Sequence, residues 1–194
     1  MELTKRQNEI INASIDLIAT NGIQNFTMKA LSKDIGISEP AIYRHFDNKL
    51  AILLTILKTI DDDMQSFEIK NTIAKNGTLD DVNKMLQFQM ECFVKKPSLA
   101  SILFSEEIFQ NDLQLSKKVV SIMNNRSLLI EKVITREQEK KVVRSDIDAK
   151  VLTNIILGTV RLVVNKWKLA GSKTDLCAIY LSHWKSLRLL LTVK

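Results

Sequence analysis

The sequence predicts an all-α protein, and three observations carry the prediction. Only five glycines and two prolines punctuate 194 residues, Leu, Ile, Lys, Met and Ala fill the spans between them, and apolar residues recur three and four apart rather than alternating. At 45% hydrophobic and 26% charged, the chain has the material for at least one substantial buried core.

Helix 1 is expected from Thr4 to about Thr20, where Ile10, Ile11, Ile15, Leu17 and Ile18 share a face. Thr4 with Gln7 forms a capping box, each side chain satisfying a backbone donor, and Asn21-Gly22 is a left-handed stop. Thr27 caps helix 2, which runs to about Asp34, with Phe26 stapled onto Leu31. Gly36 turns the chain, and Ser38 caps a helix 3 of about two turns. Pro40 lies in its first turn, where a missing N–H costs nothing. Asn48 caps helix 4, which continues through Leu50, Leu53, Leu54, Leu57 and Ile60 toward Phe67 with Asp61, Asp62 and Asp63 on its wet side. Thr78, Ser98 and Ser145 mark later helix starts, and Asn76-Gly77 and Lys96-Pro97 mark breaks.

The helix from Ser145 to Ala170 and the one capped by Thr174 carry more apolar surface than one stripe needs, so each wants neighbours on two sides. A four-helix bundle with a second copy would bury the surplus, placing Ile155, Leu162, Trp167, Ile179, Trp184, Leu187 and Leu191 at a homodimer interface. Packing both helices inside the monomer is the competing arrangement.

Several function classes are excluded or weakened. Only two histidines, no Gly-rich phosphate loop, no GxSxG and no metal-ligand cluster argue against an enzyme, and no cofactor or metal is expected. Cys92 and Cys177 lack CxxC spacing and read as two buried free thiols. With no signal-peptide pattern and no run of about 18 apolar residues, the expectation is a soluble, cytoplasmic protein without a membrane partner. The net charge of +6 does not by itself point to DNA. Residues 1–50 hold six basic and six acidic side chains, and the excess lies from Glu139 onward, where eleven Lys and Arg face four acids.

Placement makes the nucleic-acid argument instead. Helix 2, the Asp34-Ile35-Gly36-Ile37 turn and helix 3 make a helix-turn-helix in which Leu31, Ile35, Ile37 and Ile42 pack inward and Ser32 keeps the helices close. The stretch FTMKALSKDIGISEPAIYRHFDNKLAIL resembles the N-terminal domain of the TetR family of bacterial transcriptional regulators, with Gly36, Ile37, Ser38, Tyr43, His45, Phe46, Lys49 and Leu53 in register. Beyond about residue 60 the resemblance is to a general plan, a helical effector domain ending in two dimerising helices. It implies a helix-turn-helix DNA-binding domain over residues 1–47 and a ligand-binding and dimerisation domain over residues 48–194.

The resemblance puts Thr27, Tyr43, His45 and Lys49 at phosphate or groove contacts and Lys29, Ser38, Glu39, Pro40 and Ala41 nearest the bases. Arg44 joins them or pairs with Asp47, and His45 is either a contact or a packed side chain. Glu39 accepts from a cytosine amino group or complements the helix N-terminus. The implied function is a homodimeric repressor on a palindromic operator. Its two recognition helices must lie about 34 Å apart, and a small effector that tilts helix 4 spoils that spacing. Phe67, Met85, Phe88, Phe93, Leu103, Phe104, Phe109 and Met123 supply apolar lining for such an effector, and Glu106 or Glu107 would orient a cationic group on it. The rival is a helix-turn-helix used to dock protein, which the zero net charge of residues 1–50 permits.

Overall fold

The computed structural model describes residues 3–104 and 112–193. Among them the regular structure is helical: α1 (Lys5–Asn21), a 3-10 turn (Ile23–Asn25), α2 (Met28–Ile35), α3 (Glu39–Tyr43), α4 (Lys49–Lys70), α5 (Ile73–Asn76), α6 (Leu79–Lys95), α7 (Pro97–Leu103), α8 (Leu113–Glu139), α9 (Ala149–Leu169) and α10 (Leu176–Leu191). The chain folds as two compact units, residues 1–61 with 98–119 and residues 62–97 with 120–194.

In the first unit α1, α2, α3 and the start of α4 close around one core. Ile10, Phe26, Leu31, Ile42, Ile52 and Ile56 are wholly buried there, each contributing about 1.5–3 kcal/mol by leaving water. The caps explain why the helices start where they do. Thr4 and Gln7 form their box, Thr27 Oγ1 accepts from the Ala30 N–H at 3.0 Å, and Asn48 Oδ1 accepts from the Ala51 N–H at 2.9 Å. Ile35 and Ile37 are half-buried rather than sealed inside. Asp61 departs from expectation. It is buried at 7% exposure instead of wet, because the Lys118 ammonium reaches it at 2.8 Å and supplies the partner a buried carboxylate requires.

In the second unit α10 packs against α6 and α9. The Tyr180 hydroxyl donates to Asn83 Oδ1 at 3.0 Å, and Trp167 Nε1 donates to the Thr174 carbonyl at 2.9 Å. Arg136 of α8 spreads its guanidinium over the carbonyls of Ile73, Ala74, Lys75 and Gly77, satisfying the C-terminal acceptors of the short α5. Glu68 pairs with Arg126 at 2.7 Å.

The cores of α9 and α10 revise the dimer residues. Trp167, Trp184, Leu187 and Leu191 are buried within this unit, so their surface is already used and is not free for a second copy. Ile179 is half-buried, while Ile155 and Leu162 stay 43% and 56% exposed. The helix starts shift as well: Asp148, not Ser145, caps α9, and Asp175, not Thr174, caps α10. Cys92 and Cys177 are free thiols, half-buried rather than buried, and burial pushes both above the usual thiol range. Among the described residues no helix is long and apolar enough to cross a membrane, and no group of three or more His, Cys, Asp or Glu could hold a metal.

Candidate nucleic-acid interface

The candidate interface centres on a five-residue helix, α3, one side of which stays exposed. Gly36 takes φ +75 and ψ 33, a left-handed conformation that stops α2, and its N–H closes onto the Ser32 carbonyl at 3.0 Å. Extended Ser38 then starts α3, whose Ile42 is fully buried and is followed into the core by Phe46. With those two anchored, Ser38, Pro40, Tyr43 and Arg44 are left exposed, Tyr43 at 45%. Tyr43 presents an aromatic body and a polar hydroxyl tip to water.

The expected contact residues divide by what their side chains already do. The Ser38 hydroxyl makes no cap bond, so it remains available, whereas the Thr27 hydroxyl is engaged in capping α2. Lys29 is exposed in the first turn of α2. Arg44 is exposed and, among the described residues, forms no ion pair with Asp47. Glu39 and Ala41 are half-exposed, and Glu39 occupies the first turn of α3, where a carboxylate complements the helix dipole. His45 is half-buried, and its carbonyl accepts from Gln7 Nε2 at 3.5 Å, which ties α1 to the end of α3.

Lys49 behaves differently from the rest. Its Nζ donates to the Ile23 carbonyl at 3.2 Å and stands 5.4 Å from the Phe26 ring centroid, and burial draws its pKa below the ordinary lysine value. No local sequence signal announces that contact, because its partners lie 26 and 23 positions away.

The candidate effector residues fall in both units. In the second, Phe67 and Phe88 stack with centroids 4.6 Å apart and planes 15° off parallel, both half-buried, and Phe93 is buried. Met123 is 49% exposed. Phe104 is half-buried in the first unit. Glu106, Glu107 and Phe109 lie outside the described residues.

Comparison with known proteins covers nearly the whole chain. Residues 10–56 match the family of bacterial regulatory proteins described as the tetR family, and residues 56–191 match the YsiA-like protein, C-terminal region. The fatty acid metabolism regulator protein of Bacillus subtilis (strain 168) is 22% identical over 173 residues, 88% of each chain. The nucleoid occlusion factor SlmA of Vibrio atlanticus (strain LGP32) is 21% identical over 182 residues, 93% of each. The transcriptional regulator FadR from Bacillus subtilis, solved in complex with stearoyl-CoA, superposes with a TM-score of 0.78 at 22% identity, covering 95% of this chain and 97% of that one.

Proposed function

The chain belongs to the tetR family of bacterial regulatory proteins and is a ligand-responsive DNA-binding regulator, and from that premise we infer a homodimeric repressor released from a palindromic operator by a largely apolar effector. Residues 1–47 carry the DNA contacts, and residues 48–194 bind the effector and the second copy. The observation that carries the reading is the exposed face of α3, Ser38, Pro40, Tyr43 and Arg44, held out by buried Ile42 and Phe46. A major groove accepts a helix presenting its first turn to base edges while the flanks hold phosphates, and Lys29 flanks this face. Pro40 and Ala41 carry no donor fork, so base discrimination here leans on apolar contact and DNA shape rather than bidentate hydrogen bonds.

Two features support an apolar effector. The half-buried Phe67–Phe88 stack offers aromatic lining in the second unit, and FadR of Bacillus subtilis is solved with stearoyl-CoA. The similar coverage by a nucleoid occlusion factor means that relatedness alone does not choose the effector, so the chain's own aromatic supply has to make the argument.

The test is selection of bound fragments from source genomic DNA, followed by mobility shifts across salt concentration. A DNA-binding dimer yields a palindrome and an affinity that falls with salt by about 0.9 log units per phosphate contact for each log unit of salt. Tyr43→Ala weakens binding to every fragment while leaving the dimer intact. Binding that ignores both salt and Tyr43 returns the helix-turn-helix to a protein-docking role. Long-chain acyl-CoA added to the complex releases the DNA; release by polar sugars alone would overturn the apolar assignment.

A further inference from the structure

We propose that Arg126 anchors the anionic head of an amphipathic effector, and that Glu68 is the internal carboxylate which such a head displaces. The proposal rests on the apolar-effector reading above and adds the charge that reading leaves open.

Phe67 and Glu68 are consecutive residues near the end of α4, and within the second unit they reach different helices. The Phe67 ring stacks on Phe88 of α6 at 4.6 Å between centroids, whereas Glu68 Oε1 lies 2.7 Å from Arg126 Nη1 of α8. Neighbouring Cα atoms stand about 3.8 Å apart, so an aromatic stack and an ion pair share one corner of the unit. The stack is half-buried, and Met64 and Met85, each three residues before its phenylalanine, are buried, flexible thioethers that adapt to an alkyl chain. The ion pair is more enclosed than the stack is apolar: the Arg126 side chain is 11% exposed and that of Glu68 20%. Two charges so placed give up hydration that their attraction only about offsets, so the pair adds little to stability and is readily exchanged for another of the same kind. An effector carboxylate or phosphate is of the same kind. It offers the acceptor oxygens that Glu68 offers, and the planar guanidinium fork fits either group. The fold has already stripped Arg126 of most of its water, so an incoming anion meets a donor that needs no further desolvation. Glu68 lies two residues before the end of α4, where turning outward returns its carboxylate to water. An alkyl ammonium gains nothing from Arg126, because the two cations repel.

Titration calorimetry of the full chain with dodecanoate, dodecanoyl-CoA and dodecanol tests the anchor in the wild type, Glu68→Gln and the double variant Glu68→Gln/Arg126→Gln. Glutamine keeps the shape of Glu68 and one acceptor oxygen but no longer competes as an anion. Glu68→Gln is expected to bind an anionic probe about tenfold more tightly than the wild type does, with dodecanol unchanged. The double variant, lacking both charges, is expected to lose that gain. A gain for dodecanoate puts the anion at the end of the tail, and a gain for dodecanoyl-CoA alone puts it on the carrier's phosphates; either supports the anchor. An ion pair that only holds the helices together predicts weaker binding of all three probes in Glu68→Gln. That result overturns the proposal, as does a gain shared by dodecanol or one that survives in the double variant. Should Glu68→Gln not fold, the wild type decides: an anionic probe is expected to bind more tightly than dodecanol, and dodecylammonium more weakly. Anionic probes no tighter than dodecanol refute the anchor and leave the apolar-effector reading standing. Failure of the wild type to bind any of the probes, dodecanol included, sinks that reading itself.

Discussion

Gly36 shows how much of this function depends on one backbone conformation. A Cβ at this position would meet no atom within 4 Å, so the cost of a side chain is not a clash. It is the left-handed φ of +75, which costs an L-residue about 1 kcal/mol or somewhat more. Gly36→Ala is therefore expected to lower stability by about 1 kcal/mol in urea unfolding, and Gly36→Asn by less, since Asn tolerates this region better. Both variants should lose DNA affinity, because the same φ sets the exit of α3. Unchanged stability in Gly36→Ala would mean that the turn relaxes to another conformation. The glycine is legible in the sequence because its signal is local: a polar helix end, a glycine and a serine at the next N-cap position within five positions. The inward turn of Lys49 and the burial of Asp61 are not legible, since Ile23, Phe26 and Lys118 stand far off in sequence and one-dimensional patterns carry no such pairing.

Helix ends follow the same division between local and distant causes. Thr4, Thr27 and Asn48 cap where the spacing places them, because an N-cap needs only its own next three residues. At α9 and α10 the sequence offers a hydroxyl residue and an aspartate close together, and the aspartate takes the cap in both, its charge favoured by the helix dipole. The 27-residue α8, capped by Asp112, is hard to read because Asn124, Asn125 and Arg126 interrupt its apolar rhythm. The start of α6 permits a pH test. Asp81 accepts from the Thr78 N–H at 3.0 Å, from the Thr78 hydroxyl at 2.9 Å and from Lys84 at 3.1 Å. Burial pushes its carboxyl up, but these donors together hold it below the ordinary value. A carboxyl depressed on folding stabilises above its unfolded pKa, about 3.9, and that contribution is lost as pH falls through the folded value. Asp81→Asn is thus expected to cost about 0.5–1 kcal/mol at pH 7, with the difference from wild type closing as the solution is acidified toward pH 3. A penalty that persists there would assign the effect to shape rather than charge.

The proposed assembly of two copies turns on which surface of α9 and α10 remains after the monomer has packed. Apolar periodicity correctly finds more hydrophobic surface than one stripe needs, yet it cannot say which half the monomer consumes, and the large aromatics go inward. Trp184 is 3% exposed, and Trp167 and Tyr180 are equally enclosed. What is left runs along one face of α9 as Val151, Ile155, Gly158, Leu162 and Leu169, at alternating steps of four and three residues before the last, with Leu189 and Leu190 exposed on α10. A stripe that is apolar from Val151 to Leu162, with the small Gly158 midway and Asn165 and Lys166 before Leu169, suits a symmetric helix partner, where Gly158 lets backbones approach. Leu162→Glu is expected to leave the helical content unchanged and to shift sedimentation from dimer to monomer at micromolar concentration, since it adds charge to the centre of the stripe without touching the buried core. Gly158→Ala complements it. An exposed mid-helix glycine with open space around its missing Cβ should gain about 0.5–1 kcal/mol as alanine in a monomer. In a dimer seated on this stripe the added methyl group separates the helices and weakens association instead. A variant that is more stable and equally dimeric would move the proposed interface elsewhere.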